Sequence, residues 1–196
     1  MSRSSVTLWL FNNMDAGSWE GLAERLKRKG YAIVGGKGFS VYLETTPQVQ
    51  ARYPRHDVEY RFGVNLGEWD PDPEDDYSQV IAPQPVAELI AWSERDLVGE
   101  DVALGELVLE MTRQLNALID FDGLLGPRPW LSGGSMDSHR KHVLEVRPFI
   151  SSVGGTVYEV AYAMYGGEFR YVHVADGDFL EAWLAHPAFH LLEEWQ

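Results

Sequence analysis

The stretch Thr156–Val174 limits the fold more than any other. TVYEVAYAM (156–164) and EFRYVHV (168–174) are rich in β-branched and aromatic residues and are joined by Tyr165-Gly166-Gly167. That pattern predicts an antiparallel β-hairpin, with Tyr158, Val160 and Tyr162 on one face and Val157, Glu159 and Ala161 on the other. A second feature must be buried with it. EDVALGELVLEMTRQLNALI predicts a helix over Glu100–Ile119, with Leu104, Leu107, Val108, Met111, Leu115, Leu118 and Ile119 as a continuous apolar stripe. Glu100 and Asp101 suit its N-terminus, and Glu106, Glu110 and Arg113 fall on the opposite, solvated face. The simplest arrangement that buries both is a two-layer α+β sandwich, a mainly antiparallel sheet with helices packed on one side.

The rest of the chain fits that frame. Ser4–Phe11 reads as an opening strand stopped by Asn12-Asn13, and Ser18 as the N-cap of a helix that ends at Gly30. YAIV (31–34) and FSVYLE (39–44) form a strand pair interrupted by Gly35, Gly36 and Gly38. The Gly-Gly-Lys-Gly segment is not a phosphate-binding loop, because no helix follows it, and a bent hairpin or bulge accounts for it better. Residues 45–55 read as a loop, 58–66 as a strand, 86–94 as a short helix and 126–142 as a long loop. Asp176 or Asp178 caps a last helix, FLEAWLAH, ended by Pro187. The expectation is a single α+β domain over 1–196, with an acidic loop and helical region at 67–122 inserted between two strand-rich parts.

Charge is the most informative part of the composition. Thirty acids against sixteen Lys and Arg give a net charge of −14 over 196 residues. Fifteen of those acids but only two bases, Arg95 and Arg113, lie between Gly67 and Asp122. Such a field opposes phosphate binding, which draws its affinity from Lys and Arg, and argues against a nucleic-acid partner. It favours steering of a positively charged protein or ligand. No apolar run approaches the roughly 20 residues of a membrane span, and the N-terminus does not read as a signal peptide. The absence of cysteine excludes disulfides and thiolate chemistry. These features together predict a cytoplasmic protein.

No residue set reads as a catalytic constellation. GEWDPDPEDDY (67–77) fails as a calcium loop: counted from Asp70, position 6 is Asp75 where glycine is needed, and position 12 is Ile81 where glutamate is needed. His186 and His190 have helical i, i+4 spacing, but Pro187 lies between them. They leave open a metal-dependent or acid–base enzyme built from His173, His186 and His190 with Asp120 or Asp122, alongside a structural adaptor subunit. Ser132-Gly133-Gly134-Ser135 lacks the G-x-S-x-G elbow, and Asp120-Phe121-Asp122 reads as a turn after a helix end. Neither metal nor cofactor is expected. A binding surface is expected instead, with Glu68, Asp70, Asp72, Glu74, Asp75 and Asp76 steering a partner and Trp69, Tyr77 or Trp130 anchoring it.

Two segments carry a resemblance. LNALIDFDG (115–123) resembles the L-(I/V)-D-F-G-G turn of small bacterial immunity proteins encoded beside polymorphic toxins of the Rhs or a similar type, with Asp122 in place of the first glycine. FLEAWLAHPAFH (179–190) resembles a closing motif of families from the same setting. The resemblance implies a non-enzymatic inhibitor of a cognate toxin domain, of nuclease or ADP-ribosyltransferase type. It would act as a monomer in a 1:1 complex, covering an electropositive active site, away from any membrane.

Overall fold

The computed structural model describes residues 4–37, 40–53, 59–70, 77, 80–94, 99–126, 136–164 and 168–191. In chain order the elements begin β1 (Ser5–Leu10), α1 (Ala16–Arg28), β2 (Tyr31–Lys37), β3 (Ser40–Thr45), α2 (Pro47–Gln50), β4 (Arg61–Glu68) and β5 (Ala87–Ser93). They continue α3 (Glu100–Leu115), β6 (Leu118–Asp120), α4 (Met136–Val153), β7 (Val157–Met164), β8 (Glu168–Ala175) and α5 (Gly177–Leu184). All eight strands join one open antiparallel sheet in the order β2-β3-β4-β5-β1-β6-β8-β7. The fold is the expected α+β sandwich. None of the helices among the described residues is long and apolar enough to cross a membrane.

Strand alternation sorts the residues between two sides. Val6, Leu8 and Leu10 of β1, Leu89 and Ala91 of β5, Phe62 and Val64 of β4, and Ile119 of β6 belong to the main core. The helices cover this side. Leu104, Leu107, Val108 and Met111 of α3 are fully buried there, with Leu22 and Leu26 of α1, Val49 of α2, and Phe179, Leu180 and Trp183 of α5. Phe149, Ile150 and Val153 of α4 pack against the same cluster. Each such side chain contributes about 2 kcal/mol of burial free energy, which is why α3 can dominate the helical layer. The outer side holds a smaller cluster of Trp9, Tyr77, Ile81, Val160, Val172 and Val174, bordered by Trp69, Tyr158 and Tyr162.

The β7–β8 hairpin forms as expected, and Asp176 caps α5 by accepting from the Phe179 N–H at 2.8 Å. Gly35 and Gly36 do not interrupt the strand pair but lie inside β2, which shifts register against β3 between Ile33 and Gly35; Gly38 lies outside the described residues. Several expectations are corrected. Asp15, not Ser18, is the N-cap of α1; its carboxylate accepts from the Ser18 N–H at 2.7 Å, so the helix starts earlier. The loop over 45–55 contains α2, with Pro47 in its first turn. The strand expected over 58–66 runs from Arg61 to Glu68 and so takes in the first residues of the acidic stretch. The short helix expected over 86–94 is instead strand β5, buried at every second residue. The helix expected to reach Ile119 stops at Leu115, where Asn116 turns left-handed (φ 51°), and Leu118–Asp120 become a strand. The long loop over 126–142 gives way to α4 from Met136, which carries Pro148. Finally, 67–122 is not an insertion: it supplies β5 and β6, internal strands of the sheet.

Candidate functional site

The outer side of the sheet is laid out by register. Gly67 of β4, Glu88 of β5, Trp9 of β1 and Leu118 of β6 lie in one row. Asn65, Ile90, Thr7, Asp120 and Val174 form the row beside it. Gly67 leaves room for Glu88, whose carboxylate would lie 3.2 Å from a Cβ at that position. Above Trp9 sits an aromatic clamp. The Trp9–Trp69, Trp9–Tyr77 and Trp69–Tyr77 ring centroids are 4.7, 5.4 and 5.7 Å apart. Trp69 and Tyr77 therefore hold the two ends of the acidic stretch together on the sheet.

Carboxylates cluster beside this clamp. Burial pushes the Asp120 carboxyl up to about 7, against the hydrogen bond it accepts from the Asp122 N–H at 2.8 Å and one from Trp9. The negative charges of Asp122 and Glu88 push it the same way as burial does. Burial also raises Glu88. Arg170 of β8, opposite Tyr162 of β7, is the cation nearest the Tyr162 hydroxyl, which burial raises and Arg170 lowers.

The acids on the helix side are matched differently. Glu110 of α3 takes Arg25 and Lys29, the latter at 2.9 Å. Burial alone would raise it, but these hydrogen bonds outweigh burial and hold it below its usual range. Glu106 accepts from the Tyr53 hydroxyl at 2.8 Å and lies 3.2 Å from Arg52. Asp101 accepts from the Ser4 hydroxyl. Glu106 and Glu110 are therefore not a solvated face; they tie α3 to the end of α1 and to the turn after α2.

Of the residues expected to bind a partner, Glu68 and Asp70 are exposed at the end of β4 and just after it. Trp69 is half-buried, and Tyr77 is buried in the outer cluster at 9% exposure. The expectation of Tyr77 as an exposed anchor is corrected: its ring fixes the stretch to the sheet. Asp72, Glu74, Asp75, Asp76 and Trp130 lie outside the described residues.

A family model matches residues 4–193, a span that takes in every strand and helix among the described residues. The chain belongs to that family, described as a family of unknown function (DUF6368). No curated protein and no solved structure matches it.

The histidine and carboxylate set does not assemble. Asp120 pairs with Val174, so His173 points to the opposite, helix side of the sheet. There its Nδ1 accepts from the Leu125 N–H at 2.8 Å, and burial lowers its pKa to about 4. His186 accepts from the Ala188 N–H at 3.1 Å and stacks on Trp183. His190 meets the edge of the same ring. His139 accepts from the Tyr171 N–H at 2.9 Å. Among the described residues no group of His and carboxylates could hold a metal. What reading by residue missed is Glu88, which the sheet sets on the outer face beside Asp120 and Asp122. The alternation of AELIAWS was the available signal, and its helix-forming composition masked it.

Proposed function

We propose that the protein is an acidic cytoplasmic inhibitor that binds a basic protein domain through the outer face of its sheet, the partner being a secreted toxin domain of nuclease or ADP-ribosyltransferase type. One observation carries this reading. Glu110 on the helix side is matched by two cations and Glu106 by one, whereas on the outer side Glu44 and Glu59 share the single Arg61 and Glu88 has no ion pair among the described residues. Glu68 and Asp70 lead from that sheet into the acidic stretch. Negative charge is thus directed to one face, which is how an acidic inhibitor attracts a basic cleft and orients itself on it. The resemblance of LNALIDFDG and FLEAWLAHPAFH to immunity proteins supports the same class.

The test is co-expression with the toxin domain encoded beside this gene. The protein should restore growth and co-purify with the toxin as a 1:1 complex. If it does neither, the proposal is wrong.

A further inference from the structure

The outer face has a second half, over β3, β4 and β5, that neither core cluster covers. Register sets Tyr42, Gly63 and Trp92 side by side in one row. Gly63 has no side chain, and the Trp92 ring fills the vacant space: a Cβ there would stand 2.0, 2.2 and 2.7 Å from Cζ2, Cε2 and Cη2. The ring therefore reaches across β4 toward Tyr42 rather than into a core, and Trp92, Ile90 and Tyr42 belong to neither cluster. Tyr42 is 42% exposed, and Val34, which the β2 register skips, is 50% exposed. The next row is charged. Arg61 lies 2.6 Å from Glu44 and 3.4 Å from Glu59, and its carbonyl accepts from the Glu94 N–H at 3.0 Å. Among the described residues Glu44 and Glu59 share this one guanidinium, and the charge of Glu94 is near enough to raise the Glu44 carboxyl.

We propose that Trp92 and Tyr42, rimmed by Glu44, Glu59 and Glu94, form the seat for an arginine-bearing segment of a basic protein. The inference rests on the reading of the protein as a binder of a basic domain and says where that domain docks. The Trp92 indole, half-buried on glycine backbone and outside both core clusters, is the best kind of ring for a cation. Among the described residues the carboxylates here outnumber the cations, which supplies a counter-ion for a guanidinium, and Arg is the cation that both stacks and pairs in this way. The anchors are then Trp92 and Tyr42 on rigid strands, in place of Trp69 and Tyr77, which the clamp employs.

Two measurements test this. In the first, isotope-labelled protein is titrated with a hexa-arginine peptide at low salt and followed by amide and indole NMR shifts. The shifts should centre on Tyr42, Gly63 and the Trp92 indole, and Trp92→Leu should weaken binding by about tenfold, as expected of a hot-spot aromatic. Glu94→Gln should weaken it several-fold and keeps the test open if Trp92→Leu does not fold. Equal affinity in the folded variants, or shifts centred elsewhere, would overturn the proposal. In the second, the variants are bound to the neighbouring toxin domain. If Trp92→Leu binds it as tightly as the parent does, the seat is wrong and the inhibitor reading stands. If the parent ignores the toxin while hexa-arginine still docks at Trp92, the inhibitor reading falls and the seat stands.

Discussion

Asp120 shows how one side chain sets the pH response of this fold. Its carboxyl is pushed from an ordinary 3.8 up to about 7, first by burial and then by the charges of Asp122 and Glu88. The folded chain therefore holds a proton that the unfolded chain has released over that interval. Stability is fully present below about pH 4, falls as pH rises toward 7, and is level above it. A tenfold change in proton affinity corresponds to about 1.4 kcal/mol, so the loss is a few kcal/mol. Asp120→Asn keeps an acceptor for the Asp122 N–H and removes the ionisation. Urea unfolding should find the variant about 1–3 kcal/mol more stable than the parent at pH 8, with no such gain at pH 4. A difference independent of pH would show that Asp120 is not the group responsible.

At the scale of elements, sequence patterns located most of the sheet, and the errors have physical causes. The hairpin of β7 and β8 was legible because alternation and a glycine turn agree. AELIAWS was not, because Ala, Glu and Leu favour helices in isolation, and pairing with β1 and β4 on both sides overrides that preference. The start of α4 was hidden by the glycines and prolines of 126–134, which made the whole of 126–142 read as a loop, and Pro148 is tolerated within the helix. Glycines separate the two kinds of site clearly. Gly155 has φ +74°, and a Cβ there would stand 2.2 Å from the Phe179 nitrogen and 2.4 Å from its Cα, in the backbone of the first turn of α5. Gly155→Ala should cost about 3 kcal/mol, lowering Tm by roughly 5–10 °C in a chain of this size. Gly21 on α1 has nothing within 4 Å of its would-be Cβ, so Gly21→Ala should stabilise by about 0.5–1 kcal/mol. Thermal melts of the two alanine variants should move in opposite directions. A shift of the same sign in both would contradict this packing.

Over the whole molecule, the sequence disclosed how much negative charge the middle of the chain holds, but not where it points. Direction depends on strand parity, and the parity of β5 and β6 became known only with the sheet. Placement makes two equal changes of net charge unequal in effect. Glu88→Gln with Glu94→Gln removes two acids from the outer side, and Glu106→Gln with Glu110→Gln removes two from the helix side. The helix-side pair breaks the contacts with Arg25, Lys29, Arg52 and Tyr53, so it should cost about 1–2 kcal/mol of stability. Association with the basic toxin domain should then stay within about twofold of the parent. The outer pair leaves those contacts intact, so stability should hold, while association at low salt slows about tenfold and loses much of its salt dependence. Stopped-flow association at two ionic strengths, with urea unfolding of the same proteins, separates the outcomes. If both pairs slow association equally, the total charge steers the partner and its direction is irrelevant. If only the outer pair does, the sheet face that the helices leave uncovered is the one the partner approaches.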